Sequence, residues 1–333
     1  MRPVAMVGRG AELVELGDAW SRVVAGAPAA RTVVITGGAG LGKSLLVASA
    51  LESASPPPAT VLAGRARVHS PAPYDWLAGM LSGRDLTGLP VPADALAWLA
   101  QHPDAPRERY APGTLLRLAV RTVRALTGTE PAVIVVEDLH ALDPASLNLV
   151  GELALAPDLP ALLLVTSRPA EESVAPELTA RTLARLTGAP GAVRQHLGPF
   201  DRAAVDAVLA QVYPEVPAQV VDAVYERTGG NPYWLTELLA TAGRGDPTAL
   251  VREPLPGHLR MAAPPAAPEL TAREVEVLRC LASGMSNKQV ARTLSISIRT
   301  VGVHVSNLLR KTRSASRTEA ALWAVRHLRL PQR

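Results

Sequence analysis

Through the first two hundred residues, short apolar runs alternate with segments whose apolar residues recur at helical spacing. Thr32–Thr36, Thr60–Ala63, Ala132–Val136 and Ala161–Thr166 are too short for buried helices. They are rich in Val or Leu and bounded by Gly, Pro or charge, a pattern that predicts strands buried on both faces. Between them, Ser44–Glu52, Leu115–Leu126 and Ala145–Leu153 carry helical spacing. This alternation predicts an α/β domain, a parallel sheet with helices on both faces. From Asp201 to Thr241 the pattern is helical only, which predicts a small helical subdomain closing a body that spans 1–243.

The pattern then breaks. Pro247, Pro254, Pro256, Pro264, Pro265 and Pro268 fall within a short stretch. Proline removes a backbone donor and restricts the residue before it, so 244–268 is expected to be a semi-rigid linker, with at most a short helical turn near Leu259. Beyond it, helix-start signals recur. Thr271 with Glu274, Ser286 with Gln289 and Ser316 with Glu319 have capping-box spacing, Ser297 is a plausible N-cap, and Gly284 stops the first helix. Val277, Leu278, Leu281, Val290 and Leu294 point inward. Val301, Val305 and Leu308 form the buried stripe of a helix from Ile298 to about Thr312. Four short helices in 269–333, with a tight link between the second and third, describe an all-α helix-turn-helix domain.

Composition narrows the classes. Of 333 residues, 48% are hydrophobic, enough for a sizeable core and too many for wholesale disorder. Only 3% are aromatic, so the core is Ala, Leu and Val. The single cysteine, Cys280, excludes a disulfide framework and falls at core spacing. No apolar stretch approaches the roughly 20 residues of a membrane span. No apolar core of signal-peptide length precedes Arg9 and Glu12, so a cytoplasmic protein with no membrane partner is expected. The net charge of +4 is uneven. Residues 269–333 hold 12 Lys and Arg against 4 Asp and Glu, and residues 1–268 hold 22 against 26. A basic module on a mildly acidic body suggests a polyanion partner, although scattered surface arginines would give the same balance.

The strand Thr32–Thr36 runs into Gly37-Gly38-Ala39-Gly40-Leu41-Gly42-Lys43-Ser44, the pattern G-x-x-x-x-G-K-S with a strand before it and a helix after it. Glycines let backbone N–H groups converge on phosphates, Lys43 supplies a charge to the β- and γ-phosphates, and the Ser44 hydroxyl is placed for Mg²⁺. Lys43 is the only lysine before position 288. The strand Ala132–Val136 ends in Glu137-Asp138. That pair suits a metal ligand and a water-orienting carboxylate, with the two roles not separable by spacing. Asp138 and Asp143 equally suit helix N-caps.

These motifs, followed by LLLVTSRP and GGNPYWLTELL, resemble the STAND-type ATPases, relatives of the AAA+ class that use nucleotide as a switch. The likeness spans roughly residues 4–240. It implies an ATP/ADP and Mg²⁺ site and places Gly8 and Arg9 near the adenine. Arg168 is implied as a sensor arginine by the γ-phosphate, and Pro232 resembles the family proline that packs on the adenine side. His140 matches a family histidine but equally suits a helix-start polar residue, as Arg168 suits a solvated loop. Ala141-Leu142 departs from the family's usual Trp-Ala.

In the basic module, the helix from Ile298 would read DNA through Arg299, Thr300, Gly302, Val303, Ser306, Asn307 and Arg310, flanked by phosphate contacts from Lys288, Arg292, Lys311, Arg313 and Arg317. The stretch LTAREVEVLRCLASGMSNKQVARTLSISIRTVGVHVSNLLRKTRSASRTEAAL closely resembles the LuxR-type DNA-binding domain. Gly302 departs from it, because lysine is usual there. In that family the fourth helix commonly pairs two modules, so Trp323 is a core or dimer-contact candidate. The two resemblances together imply a regulator whose ATP state gates self-association, as a homodimer or higher oligomer, on double-stranded promoter DNA, with RNA polymerase a partner if it activates. A constitutive DNA-binding protein with a vestigial nucleotide site, a DNA-stimulated ATPase, and a scaffold whose basic module binds protein are the competing readings. Glu137, Asp138 and Arg168 would carry any slow hydrolysis.

Overall fold

The computed structural model describes residues 7–26, 31–64, 72–102, 105, 110–156, 159–173, 175–242, 246–252, 270–282, 285–312, 320 and 324. The chain divides into two compact units, Met1–Pro256 and Gly257–Arg333.

In the first unit the elements run α1 (Gly10–Val24), β1 (Arg31–Thr36), α2 (Lys43–Ser53), β2 (Thr60–Gly64), α3 (Asp75–Leu81), α4 (Ala93–Leu99), α5 (Pro112–Thr127) and β3 (Ala132–Val136). They continue with α6 (Pro144–Leu153), β4 (Ala161–Ser167), α7 (Pro176–Thr187) and β5 (Val193–His196). The five strands form one parallel sheet in the order β2-β3-β4-β1-β5. Every residue of β3 and β4 is buried, as central strands covered on both faces require.

The strand period of two divides the core. Val34, Leu62, Ile134, Val136, Leu163 and Val165 face Trp76, Leu77, Leu115, Val123, Leu147 and Leu186 of α3 and α5–α7. Val33, Ile35, Val133, Val135, Leu162 and Leu164 face Leu16, Trp20, Leu46 and Val47 of α1 and α2. Truncating a side chain such as the fully buried Leu163 to Ala would remove about 3 kcal/mol of stability.

α8 (Arg202–Ala210), α9 (Ala218–Thr228) and α10 (Pro232–Ala242) form the helical subdomain around Leu209, Tyr213, Val224 and Leu238. The expected linker begins too early at 244. Asp246–Arg252 continues the body through a one-turn helix, α11 (Ala249–Arg252), and Leu250 is fully buried in the same core. An apolar side chain with a helical face to fill outweighs the nearby prolines. Beyond Arg252, the rest of the expected linker, 253–268 with Leu259, lies outside the described residues.

In the second unit, α12 (Ala272–Ala282), α13 (Asn287–Thr293) and α14 (Ile298–Thr312) pack around Val277, Leu278, Leu281, Val290, Val301 and Leu308, with Ala320 and Ala324 buried against them. Leu294 and Val305 are partly buried at the edge of this cluster. Cys280 is buried, and burial pushes its thiol pKa up, which suits an inert core residue. Gly284, Ser316, Glu319 and Trp323 lie outside the described residues.

Candidate functional site

The loop between β1 and α2 turns on left-handed glycines, Gly40 at φ 75° and Gly42 at φ 86°. Lys43, which opens α2, is 7% exposed, and its Nζ donates to the carbonyls of Gly37 (2.9 Å) and Gly38 (2.7 Å). Burial lowers the Lys43 pKa, while Asp138 pulls it back up. Among the described residues the hydrogen-bond partners of Lys43 are carbonyls, and a buried ammonium so held presents the electrostatic condition that an anion relieves.

Lys43 opens into a 370 Å³ cavity that it lines together with Ala39, Gly40, Ser44, Asp138 and Arg168. Of the acidic pair, Asp138 lines this cavity, from a left-handed backbone (φ 52°) at the end of β3, and its side chain caps no helix. Glu137 is half-buried beside it and does not line the cavity. Asp143, by contrast, is the N-cap of α6, accepting from the backbone N–H groups of Ala145 and Ser146. Arg168 enters from the end of β4, 3.7 Å from Glu172. Its backbone N–H donates to Nδ1 of the buried His140 at 3.3 Å. His140 thus ties the turn after β3 to the turn after β4. Its pKa is lowered by burial, with the nearby Asp138 acting in the opposite sense.

A second, apolar cavity adjoins the first and shares Leu41, Gly42, Leu45, Pro232 and Thr236 with it. Val7, Arg9, Phe200, Val208, Leu235 and Leu239 complete its wall. Arg9 lies over the Phe200 ring, 5.2 Å from its centroid, and donates to the carbonyl of Gly198. A Cβ on Gly8 (φ 69°) would lie 3.1 Å from Ala204 and 3.5 Å from Phe200, and Gly8 lines neither cavity. A polar cradle continuous with an apolar slot matches the two ends of a nucleotide. Ser44 and Asp138, which line the cradle, carry oxygen donors of the hard kind that could hold Mg²⁺.

Beside Pro232, Asn231 and Tyr233 bond to the glycine loop, a role with no motif of its own in the sequence. Asn231 Nδ2 donates to the Ala39 carbonyl (3.1 Å), and the Tyr233 N–H donates to the Gly40 carbonyl (3.1 Å). Asn231 Oδ1 meanwhile accepts from the N–H groups of Tyr233 and Trp234, capping α10. The loop that would cradle phosphate is therefore bonded to the helical subdomain. An Asn just before a helical run was the available signal.

In the second unit two of the three expected capping boxes form, and the third, Ser316 with Glu319, lies outside the described residues. Thr271 pairs reciprocally with Glu274, and Ser286 with Gln289. The Ser297 hydroxyl accepts from the Thr300 N–H (3.0 Å) and caps α14. Val303 is 55% exposed, Lys288, Arg292 and Thr300 are exposed, and Gly302 and Asn307 are half-buried. A Cβ on Gly302 would meet nothing within 4 Å. The side chains of Arg299, Ser306, Arg310 and Lys311, and all of Arg313 and Arg317, lie outside the described residues. Among the described residues no helix is long and apolar enough to cross a membrane.

Residues 5–165 match the family model of the AAA ATPase domain, and residues 268–324 match that of bacterial regulatory proteins of the luxR family. Over 59 residues, 18% of this chain and 28% of the relative, the chain is 54% identical to the uncharacterized transcriptional regulatory protein YhcZ of Bacillus subtilis. It is 47% identical to the nitrate/nitrite response regulator protein NarL of Escherichia coli over 55 residues, 16% of this chain and 26% of that one. The chain thus spans about a quarter of the length of these curated relatives. Among solved structures, the ADP form of the ORC2 protein of Aeropyrum pernix aligns with 94% of this chain and 87% of its own, at 14% identity and a TM-score of 0.56, a likeness of fold.

Proposed function

We propose, for a chain that carries an AAA ATPase domain and a luxR-family domain, that ATP with Mg²⁺ occupies the paired cavities and that this occupancy gates self-association and promoter binding. The observation that carries the reading is Lys43, a buried cation between two carbonyls at the mouth of a cradle that continues into an apolar slot. The adenine lies in the slot beside Arg9 and Pro232, and the phosphates lie along Gly37–Ser44. Lys43 exchanges its carbonyl partners for phosphate oxygens, which restores its charge balance. Ser44 and Asp138 hold the metal, and the metal supplies neutralisation of phosphate charge. Arg168, kept in place through His140, reaches the terminal phosphate. Glu137, beside Asp138, is kept in reserve for orienting water in any slow hydrolysis.

Nucleotide that reshapes the loop also changes what Asn231 and Tyr233 hold, so its state reaches the helical subdomain. Self-association of the body would then bring two basic modules onto adjacent half-sites. Each module binds weakly alone, and linkage multiplies the affinity through effective concentration. The exposed face of α14 around Val303 reads base edges, and Lys288 and Arg292 contact phosphates.

The test uses purified full chain and fragmented genomic DNA from its source, with Mg-ATP, with Mg-ADP and without nucleotide, at fixed salt. Bound fragments are sequenced and the mass of the free protein is followed by light scattering. The expected result is a short inverted repeat and an oligomer only with ATP, both lost in Lys43→Ala. Equal recovery in all three conditions would overturn the gating.

A further inference from the structure

The most voluminous of the cavities described in the first unit lies away from the nucleotide site. It measures 670 Å³, within the range of small-molecule sites, and is walled by residues before α3 and on α4, α5 and α6. Its wall is aromatic and aliphatic: Tyr74, Trp98, Tyr110, Leu115 and Leu116, with Asn148 among them. The chain has five Trp, five Tyr and one Phe in 333 residues, and three of these rings line this one cavity. Tyr74 and Trp98 meet edge to face at 5.9 Å, which fixes the wall before any ligand arrives. No charged side chain lines the cavity among the described residues. Asn148 is exposed on α6 and its side chain makes no hydrogen bond among the described residues, so its amide is available to a ligand's single polar group.

The cavity is wired to the cradle. Tyr74 sits in a left-handed conformation (φ 62°) that is uncommon for a bulky residue. Its N–H donates to the buried Asp143 carboxylate (3.1 Å), as does the N–H of Asp75 (3.2 Å). Asp143 also caps α6, two of whose residues, Ala145 and Asn148, line the cavity. The buried turn Leu139–Leu142 connects Asp143 directly to Asp138 in the phosphate cavity, and His140 in that turn holds Arg168. A body that displaces Tyr74 or α6 therefore acts on the same turn that positions two residues of the nucleotide site.

We propose that this cavity is an effector site for a neutral, largely apolar, planar small molecule with one hydrogen-bonding group, whose occupancy changes nucleotide affinity. Binding in the cavity stands by itself; its coupling rests on the nucleotide reading above. The test probe is N-phenyl-1-naphthylamine, a neutral aromatic fluorophore, titrated into the full chain. Two variants block the site. Gly113→Trp fills the mouth from a position where the nearest atom to a new Cβ is the tip of the flexible Arg117, at 4.0 Å. Asn148→Glu places a charge on the wall from an exposed helix position.

The expected result is one equivalent of probe bound at micromolar concentration by the native chain and at least tenfold weaker binding in both variants. The affinity for a fluorescent ATP analogue should change threefold or more on probe saturation in the native chain, and in neither variant. The analogue titrated alone reads the nucleotide site independently, and circular dichroism confirms that the variants fold. No binding, or equal binding by native and folded variant chains, would overturn the site. Probe binding that is lost in the variants but leaves analogue affinity unmoved would overturn the effector role.

Discussion

The loop Gly37–Ser44 and the helix Ile298–Thr312 both contain glycine where an ordinary residue would be expected, for opposite reasons. In the loop, Gly37 (φ 156°), Gly40 (75°) and Gly42 (86°) all have positive φ. A Cβ on Gly37 would lie 2.6 Å from the Leu197 carbonyl, and one on Gly40 would lie 2.8 Å from both Asn231 and Tyr233. Geometry forbids anything larger there. Gly302 has helical backbone and open space around it. Nothing among the described residues of that unit requires it, so its effect must come from the missing side chain and from helix propensity. A glycine imposed by its neighbours belongs to the architecture of the site, and a glycine in open space tunes function.

The sharpest way to break this contrast is Gly37→Ala. Strain and the carbonyl clash should destabilise the loop by about 3 kcal/mol. If the loop cradles phosphate, titration with a fluorescent ATP analogue should show affinity reduced about a hundredfold. A variant that bound the analogue normally would mean that the loop relaxes freely and that its glycines are no more demanded than Gly302.

Much of this architecture is legible in the chain because central strands announce themselves. AVIVV and ALLLVT are buried on both faces and carry no polar residue except at an end, and the structure extends each expected strand by at most a residue. β5, which reads Val-Arg-Gln-His, has one apolar residue and gave no signal. It forms because β1 offers a free edge and because the Gln195 amide nitrogen donates to the Glu12 carbonyl and the Glu15 carboxylate, contacts that no local pattern encodes. The same limit applies at the site. The glycine loop and the acidic pair are contiguous motifs and stand out. The Asn231 and Tyr233 bonds to the loop span about 190 residues and depend on how the helical subdomain docks. Asp143 reads as a cap, and it is one. Its second task, holding Tyr74 and Asp75, appears only once α3 and α6 are side by side.

The second unit depends on its caps, and a smaller change sharpens the comparison from that side. Ser286 and its partner Gln289 satisfy each other's backbone N–H groups at the start of α13. Ser286→Ala should cost about 1 kcal/mol, read as a fall of roughly 4–8 °C in the melting transition of a unit this size. Analogue affinity should not change, since the residue belongs to the unit that lacks the glycine loop. A change in nucleotide affinity would show that the two units are energetically coupled even without DNA.

An effect no larger than that of Ser286→Ala should come from Gly302, with a sign opposite to that in the loop. Gly302→Ala adds a methyl group into open space and removes a helix interior glycine, so thermal stability should rise by about 1 kcal/mol. Gly302→Lys gains nearly the same propensity and adds a cation beside the exposed Val303. If that face meets DNA, the lysine variant alone should bind more tightly at low salt. Its affinity should also fall more steeply with salt, by about one additional unit in the logarithmic slope, while the alanine variant keeps the native slope. Comparing the two separates helix propensity from contact. Equal slopes for all three chains would place Gly302 away from the phosphate backbone and leave specificity to the residues around it.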